Sequence, residues 1–356
     1  MNWVSSGIEH EWLFEAVSHD LETSYGFIDG ITGGTLTEAY RADYRSSASL
    51  ECFGTSIPEN CLVRVWHMAT LDGETVREEM GTFVPTPYSG TYINGRYVGT
   101  LDMQSTLIKL GGDVRSGNRG VQAGTDIVGF FESIVKGSYC VPSVPDSIAS
   151  RGKTFPQAHI WQSQTSVLSE CHRCAESLNA MVGVDTHGRV TLSPYVAPTG
   201  RSESMVIDRG LLPEVDIDRP DIINKVVCDY QISSGDSTVS ISEMATVDGT
   251  HPWHPSRIGR WSTETYYPEG LQFAESDSEA YIRAVLKAYA KARLDDRSNV
   301  TTTYSARGIY RPVSTGEVVR FRYYDGEGHI DVKAMVSSRE VKLDATAEMM
   351  LSLEEV

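Results

Sequence analysis

The sequence predicts a mainly β protein of the α+β class, and three observations lead to this prediction. Over the first block, to about residue 104, apolar and polar residues alternate and turn residues recur at short spacing, as in half-buried antiparallel strands. Between about 104 and 200 the apolar residues change to helical spacing. Beyond residue 201 the pattern returns to strands, with one further helix. The predicted order is therefore β, α/β, β, one helix and β.

The first block contains four predicted strand segments. Asn94-Gly95 lies between aromatic and β-branched residues, which predicts a tight hairpin. Because the loops are short, we expect an antiparallel sheet that closes into a barrel or a sandwich. The predicted segments are 48–52, 62–68, 81–84 and the hairpin 92–98.

The middle block predicts two helices and a hairpin. Apolar residues at 127–135 recur at i, i+3, i+4, i+7 and i+8. Thr125 is the expected N-cap of this helix, and Gly137 lies just past its expected end. A second helix is expected over 166–182, and 184–192 is expected to form a hairpin. This block is therefore mixed α/β.

The last part of the chain predicts strands around one helix. Ser276 and Glu279 have the spacing of a capping box, with Ser276 as the N-cap, and open a helix that ends near Leu294. No short-period repeat is found, which disfavours solenoids and propellers. The predicted strands are 226–228, 301–306, 317–321, 330–335 and 349–353.

Composition excludes several classes of protein. The 31 Lys and Arg against 48 Asp and Glu give a net charge of −17, which repels nucleic acid in the absence of a basic cluster. No segment approaches the ~18 apolar residues that span a bilayer. The first residues lack the pattern of a secretory signal, and six cysteines are an ordinary density. We therefore expect a protein made in the cytoplasm, with reduced thiols.

Two segments begin like binding motifs and then depart from them. The segment 151–154 ends like a phosphate-binding loop, but Ser147 stands where that motif requires its first glycine. His10-Glu11 begins like a zinc-protease helix, but Phe14 stands where the second ligand should be. Neither segment predicts a nucleotide or zinc site.

Cys171 and Cys174 form a CxxC pair without a second pair of zinc ligands. Both lie on the apolar stripe of the expected helix, so buried, inert thiols are favoured over redox or metal use. His251 and His254 are interrupted by prolines, which favours a loop with packed aromatic residues over a paired imidazole site.

A short run of carboxylates could attract calcium, but the spacing lacks the glycine of a calcium loop and favours a solvated acidic linker. Paired carboxylates for glycoside hydrolysis stay open as an alternative, because any two acids could meet in space. The expected site therefore has no catalytic, cofactor-binding or metal residues, and no cofactor. The acidic run consists of Glu214, Asp216, Asp218 and Asp221.

An ordered set of segments carries a resemblance to a known family. They include Val-Arg-Val-Trp and Met-Gly-Thr-Phe-Val in the first block, and Val-Asp-Thr-His-Gly-Arg-Val with Pro194-Tyr195 in the middle block. Arg-Pro-Asp-Ile-Ile-Asn-Lys and Tyr-Arg-Pro follow in the last part. The segments are 63–66, 80–84, 123–127, 161, 166–182, 184–190, 194–195, 219–227, 255–260, 277–294, 310–312 and 315–319.

In this order the segments resemble the central hub proteins of bacteriophage tail tips. This family includes baseplate hub proteins and the N-terminal part of tail-associated lysins. The resemblance covers nearly the whole chain, and the ordered set rather than any single motif supports it. The chain stops at Val356 without the C-terminal fibre, peptidase or sugar-binding extension of many relatives. We therefore expect no lysin or receptor-binding activity in this polypeptide.

The resemblance implies a non-enzymatic virion protein at the tail tip. Such hubs are homotrimers with two tube-like β-barrels per subunit, so that six barrels meet a six-fold tail tube or distal tail ring. The other expected partners are a tape measure protein, tail fibres or spikes, and DNA in transit during ejection. The implied domains are a first β-barrel at 1–104, an α/β domain at 105–200, a second β-barrel at 201–275 plus 297–356, and a connecting helix at 276–296.

Two alternatives to the tail-tip hub stay open at this point. One is a cell-wall-degrading or carbohydrate-binding tail component, and the other is the hub of a contractile injection device. Under the hub hypothesis, the charge of −17 predicts an acidic lumen that repels the phosphates of passing DNA. The competing explanation is that the acidity is spread over the outer surface for solubility.

Overall fold

A computed structural model of the chain confirms the mainly β, α+β class. No helix in the described part of the chain is long and apolar enough to cross a membrane. The structure describes residues 3, 7–55, 60–86, 89–114, 116–155, 158–208, 214–218, 223–234, 237–251, 253–267, 273, 277–298, 302–324 and 329–356.

Short loops connect many strands and few helices. The helices are α1 (Leu107–Gly112), α2 (Ile127–Gly137), α3 (Asp146–Ala149), α4 (Val167–Ser177), α5 (Pro255–Ile258) and α6 (Glu279–Ser298), with a 3₁₀ turn at Pro198–Gly200. The strands are β1 (Glu9–Val17), β2 (Ser24–Phe27), β3 (Ile31–Ala39), β4 (Ser46–Thr55), β5 (Leu62–Leu71), β6 (Glu74–Pro85), β7 (Ser89–Ile93), β8 (Arg96–Ser105), β9 (Arg119–Val121), β10 (Pro142–Ser143), β11 (His159–Trp161), β12 (Ala180–Val184), β13 (Val190–Pro194), β14 (Glu203–Ile207), β15 (Glu214–Asp218), β16 (Lys225–Ser234), β17 (Ser237–Thr246), β18 (Thr263–Tyr266), β19 (Thr303–Ile309), β20 (Val318–Tyr324), β21 (His329–Lys342) and β22 (Glu348–Glu355).

One large sheet joins strands from both ends of the chain. In the described residues its main path runs β15-β19-β22-β21-β3-β4-β8-β6-β5-β1-β2, with β7 beside β8, and β20 between β14 and β21. The long strand β21 makes the connection, because one part of it pairs with β20 and a later part pairs with β3. Leu36 and Val341 are partners at this seam, and both are fully buried. The first and last blocks of the sequence therefore share one sheet.

A single buried cluster lies beneath this sheet and also draws on both ends of the chain. Alternate residues of strands such as β4 and β22 point into it, as expected for strands with one buried face. Burying one Leu, Val or Phe side chain stabilises the fold by about 1.5–3 kcal/mol relative to exposure. Its larger members include Phe14, Leu36, Leu50, Val65, Phe83, Leu101, Met103, Tyr310, Phe321, Met349, Leu351 and Leu353.

Both predicted helices of the middle block are present, with corrected ends. The N-cap of α2 is Asp126, whose side chain accepts from the backbone N–H of Gly129 at 2.7 Å, and not Thr125. The second helix, α4, ends at Ser177 instead of continuing to 182. Asn179 then adopts the left-handed conformation, with φ of 49°, and turns the chain into β12.

The prediction for the later helix also needs a corrected start. Ser278 Oγ accepts from the N–H of Tyr281, so Ser278 takes the capping role that the sequence assigned to Ser276. Ser276 itself lies outside the described residues. The helix runs to Ser298, one turn beyond the predicted end near Leu294.

The middle block is a two-copy repeat with an offset of 40 residues, which the sequence analysis did not find. The unit β9–α2 corresponds to β11–α4, and their N-caps are Asp126 and Ser166. After each helix the equivalent residues Tyr139 and Asn179 both have positive φ, of 57° and 49°.

The contacts between the two copies are reciprocal, as a pseudo-two-fold axis requires. β9 and β11 pair antiparallel around Gly120 and Ile160, which are themselves equivalent positions. Two further contacts have equivalents when the copies are exchanged. The hydrogen bond from Ile127 N–H to the Lys153 carbonyl corresponds to the bond from Val167 N–H to the Asp113 carbonyl. The β-bridge between Asp126 and Thr154 corresponds to the bridge between Val114 and Ser166.

Residues 217–303 form a second compact unit with its own sheet and core. In it β16 pairs antiparallel with β17 and parallel with β18. One face of α6 supplies Ile282 and Leu286 to a core that also contains Val226 and Cys228. Buried Asn224 links the surrounding loops, because its side-chain amide donates to the carbonyls of Trp253 and Arg260.

The structure thus groups residues 1–216 and 304–356 in one unit and 217–303 in another. Strands 203–207 and 303–355 join the large sheet, whereas strands 225–266 form the separate one. The four-domain division, with two barrels and a connecting helix, stays a prediction.

Candidate functional site

A cleft of about 930 Å³ lies between the large sheet and the middle block. The strand β12 and the segment before β14 form one side of it. Glu38 on β3 and the loop that precedes β20 form the other side.

The polar side chains of this cleft centre on Tyr40. The guanidinium groups of Arg45 and Arg201 lie over its ring, at 5.2 and 5.4 Å from the centroid. Arg201 also donates to the Tyr40 hydroxyl at 2.7 Å, and Arg45 donates to the carbonyl of Val182 at 3.0 Å. Cation–π contacts of this kind each contribute about 0.5–2 kcal/mol. The stack fastens the middle block to the large sheet.

Gly316 makes this close packing possible. Its φ is +83°, and a Cβ built there would come within 2.5 Å of the Tyr40 ring. Since Arg201 also donates to the Gly316 carbonyl, the turn and the stack hold each other in place.

The polar lining of the cleft consists of hydroxyl, guanidinium and carboxylate groups. Its described lining residues include three carboxylates, Glu38, Asp185 and Glu317, and no His, Cys or Lys. Of its carboxylates, Glu38 is held by Arg339 and Asp185 by Arg189. The cleft can bind polar groups and join two parts of the fold.

The hairpin tip between β12 and β13 docks on the first block. His187 Nδ1 lies 2.5 Å from the Glu79 carboxylate on β6, and Arg64 Nε lies 2.7 Å from the same carboxylate. Burial raises the pKa of Glu79, although the Arg64 charge opposes this shift. The Thr106 hydroxyl donates to the Gly188 carbonyl at 2.8 Å. The predicted hairpin is therefore a joint between two blocks of the chain.

A second polar cluster lies within the core under β1, β5 and β6. His10 Nδ1 and His67 Nε2 are 2.9 Å apart, and His67 is fully buried. The Tyr310 hydroxyl donates to Glu78 at 3.0 Å. The facing His67 imidazole and Tyr310 lower the pKa of Glu78. Burial, followed by His67 and Arg311, lowers the pKa of His10 to about 4.

Cys171 and Cys174 lie on the buried face of α4, as the sequence indicated. Burial raises the pKa of both thiols, that of Cys174 to about 12. Thiolates are the reactive form, so these groups are inert at neutral pH. Within the described ranges no three His, Cys, Asp or Glu side chains come together as a metal site.

The other motifs that the sequence singled out stand apart from one another. His10 and Phe14 lie on strand β1, not on a helix. His254 caps the short helix α5 by accepting from the N–H of Ser256. The segment 151–154 follows α3 and is exposed.

The acidic run divides at the edge of the described residues. Three of its members, Glu214, Asp216 and Asp218, lie on β15. The fourth, Asp221, lies outside the described residues.

Sequence reasoning missed the Arg45–Tyr40–Arg201 stack and the His10–His67 pair. No local pattern marks either group, because Arg201 lies 161 residues from Tyr40 and His67 lies 57 residues from His10. The repeat did leave a signal: Gln-x-x-Thr precedes the N-cap at both 122–125 and 162–165. A comparison of the chain with itself at an offset of 40 would have found it.

The chain shares its fold with tail proteins of known structure. It is similar to the 43 kDa tail protein of prophage MuSo2 from Shewanella oneidensis, with 14% identity over 96% of this chain and 98% of that chain, and a TM-score of 0.59. It is also similar to the tail protein from Neisseria meningitidis MC58, with 13% identity over 97% of each chain and a TM-score of 0.55. At these identities the likeness establishes the fold.

A third similar structure is a chain of a PdpA–VgrG complex. There the identity is 8% over 99% of this chain and 66% of that chain, with a TM-score of 0.57. No protein-family model and no curated protein matches the sequence.

Proposed function

We propose that this protein is a structural component of a phage tail, the trimeric hub at its distal end. In this role it joins the six-fold tail tube or distal tail ring to three-fold components of the tip. Its lumen forms the channel for DNA ejection. The observation that carries the proposal is the end-to-end likeness to two tail proteins, which covers 96–98% of the chains compared.

The construction of the large sheet supports the symmetry part of the proposal. Strands from two separate blocks of sequence meet at the seam between β3 and β21. If each block closes as a barrel, three subunits present six barrels to a hexameric ring. The tape measure protein and the fibre or spike are the further partners of a hub in this position.

The net charge of −17 supports the conduit part of the proposal. Three copies place three times this charge around one axis. Carboxylates on the lumen repel DNA phosphates within the ~8 Å screening length of physiological salt, so the polymer passes without binding. We expect the lumen-facing side chains to be net acidic. A net basic lumen would contradict this part of the proposal.

A reconstruction of the purified protein, or of a tail tip containing it, tests the proposal. The expected particle is a ring of three chains of 39.2 kDa, with two barrels per subunit on the tail axis. A monomer bound at the periphery of the tail, away from the axis, would overturn it.

The second candidate is a hub of a contractile injection device. The likeness to the PdpA–VgrG chain, which extends over 99% of this protein, favours it. Both candidates require the same ring. The genes beside the coding gene distinguish them, because capsid and lysis genes accompany a phage tail.

We propose a non-catalytic role in either assembly. The inert thiols of α4 support this view, as do the arginines that hold two of the cleft's carboxylates, Glu38 and Asp185. A zymogram on host cell wall tests it directly. A cleared zone at the mass of the pure protein would establish the alternative of a cell-wall-degrading component.

A further inference from the structure

One face of the large sheet lies away from the core and continues across the seam between the first and last blocks. It belongs to β19, β22, the later part of β21, β3, β4 and β8, where its residues alternate with the core positions. Glu38 and Arg339, which line the cleft, point to the other side of β3 and β21. One row of neighbours crosses the seam on five strands, in the order Met350, Glu340, Thr37, Ser47 and Gln104.

Short hydroxyl side chains are the commonest groups on this face, which we call the polar face. A face that docks another protein carries a patch of large apolar side chains. Here Met350 lies among polar neighbours, while Phe53 and Val98 lie at one end of β4 and β8. Hydroxyls both donate and accept hydrogen bonds, so they keep water on the surface. The serines and threonines of the polar face are Thr35, Thr37, Ser47, Ser49, Thr100, Ser305, Ser338 and Ser352.

The charged side chains of the polar face are mainly acidic. Arg96 lies beyond them at the end of β8, where that strand pairs with Ile93 of β7. One of the carboxylates, Asp102, accepts from the Ser49 hydroxyl at 2.7 Å. The carboxylates are Glu51, Asp102, Glu340, Glu348 and Glu354, and the cations are Arg307 and Lys342.

Both cations of the polar face are neutralised by one carboxylate. Arg307 and Lys342 each bond Glu348. These hydrogen bonds lower the pKa of Glu348 to about 2, so it is ionised at neutral pH. Affinity for DNA comes chiefly from Lys and Arg side chains that neutralise phosphates, so cations already paired within the chain contribute little to it. On the adjoining β20 two arginines share a carboxylate in the same way, in the pairs Arg320–Asp331 and Arg322–Asp331.

We propose that the polar face lines the channel of the ring and that duplex DNA passes over it without binding. The proposal rests on the hub function proposed above and specifies the surface that performs it. The hydroxyls hold water on the wall, and the excess of carboxylates repels phosphates within the ~8 Å screening length of physiological salt. Because the face crosses the seam, each subunit supplies a wall that continues from its first block into its last.

A label of limited access tests whether the polar face lies inside the ring. Glu51→Cys places a thiol on the exposed part of β4, and all six native cysteines are buried. After reaction with biotin maleimide, we expect streptavidin to bind only when the ring is dissociated, because streptavidin is too large to enter the channel. Tyr195→Cys is the control, since Tyr195 is 48% exposed in the middle block and its biotin should bind in the intact ring.

A single substitution tests the neutralised cations. Glu348→Gln removes the carboxylate that Arg307 and Lys342 share, so that three copies present six unpaired cations to the channel. We expect this ring to retain linear duplex DNA about tenfold better than a relaxed closed circle of the same length, because only a molecule with ends can thread a closed ring. Added salt should abolish the retention.

Glu264→Gln is the matched control, because Glu264 is likewise shared by two cations, Arg293 and Arg297. It lies on β18 in the second unit and not on the polar face. Any affinity for DNA gained there should be equal for linear and circular duplexes. Unfolding curves of both variants establish that the chain still folds.

The outcomes separate this proposal from the hub function. Streptavidin binding at Glu51→Cys in the intact ring overturns the assignment of the polar face and leaves the hub function standing. Equal retention of linear and circular DNA by Glu348→Gln, or no retention of either, does the same. A native chain that stays monomeric, in solution and in the assembled tail, overturns both. Exclusion of streptavidin together with a preference for linear DNA supports both.

Discussion

Arg339 on β21 and Glu38 on β3 lie directly opposite each other and form a buried, two-pronged ion pair. Arg339 Nε and Nη2 donate to the two carboxylate oxygens of Glu38 at 2.8 and 2.9 Å. Arg339 also donates to the Val313 carbonyl at 2.6 Å. The pair thus lies on the seam that joins the first and last blocks of the chain.

Removing one member of this pair should destabilise the fold strongly. Glu38→Ala leaves the Arg339 charge buried without its counterion, at a cost of about 3–5 kcal/mol. The double variant Glu38→Leu with Arg339→Met should cost less than the sum of Glu38→Leu alone and Arg339→Met alone. Urea unfolding of the full cycle measures this coupling. The exposed pair Arg41–Glu354 is the control, where Arg41→Ala should cost less than about 1 kcal/mol. Additive costs at the seam would contradict the coupling.

Gly188→Ala should loosen the docked hairpin. Gly188 has φ of +88°, and an added Cβ would come within 2.9 Å of the Thr82 Cβ. We expect a loss of about 1–3 kcal/mol from strain and displaced packing, with faster proteolysis at residues 185–189. In Gly112→Ala nothing lies within 4 Å of the added Cβ, and no loss is expected. Equal thermal midpoints for the two variants would refute the docking role.

Acid should destabilise the protein through His10. Its folded pKa of about 4 lies below the unfolded value of 6.5, so the unfolded chain binds the proton first. The contribution of neutral His10 to the free energy of unfolding is fully present above pH 6.5 and is lost as the pH falls towards 4. Because the ring is only half-buried and partly screened, we expect a loss of about 1–3 kcal/mol.

Unfolding at pH 7 and pH 5 measures this loss. His10→Gln should reduce the difference in unfolding free energy between the two pH values. His329→Gln, at an exposed site, should leave that difference unchanged. If His10→Gln loses as much unfolding free energy between pH 7 and pH 5 as the unchanged protein, groups other than His10 cause the loss.

The thiols of the folded protein should not react with a disulfide reagent at pH 8. All six are buried, and burial raises the pKa of Cys140 to about 11. Unfolding in urea should expose six reactive thiols per chain. Tyr195→Cys supplies an exposed control thiol that reacts at once. Rapid reaction of a native thiol would reopen a redox role for the CxxC pair.

Local patterns predicted many of the later elements but missed β1, β2 and β3 at the start of the chain. Asn94-Gly95 turns β7 into β8, and the apolar spacing at 127–135 became α2. The helix ends were less predictable, because several adjacent residues can cap. Thr125 and Asp126 both have capping side chains, and only the backbone angles of the folded chain select Asp126.

The joints of the fold could not be predicted from sequence. Arg201 meets Tyr40 across 161 residues, and Arg339 meets Glu38 across 301. Such pairs depend on strand register, which a single sequence specifies only through the alternation of buried and exposed positions.

The pairing of β3 with β21 also determines when the molecule can finish folding. During synthesis β3 leaves the ribosome about 300 residues before its partner, so one side of the early sheet waits without its neighbour. Contacts of such long range form late and slowly. The complete sheet therefore forms only after nearly all of the chain has been made, and until then the nascent chain depends on its first block and the middle repeat for order.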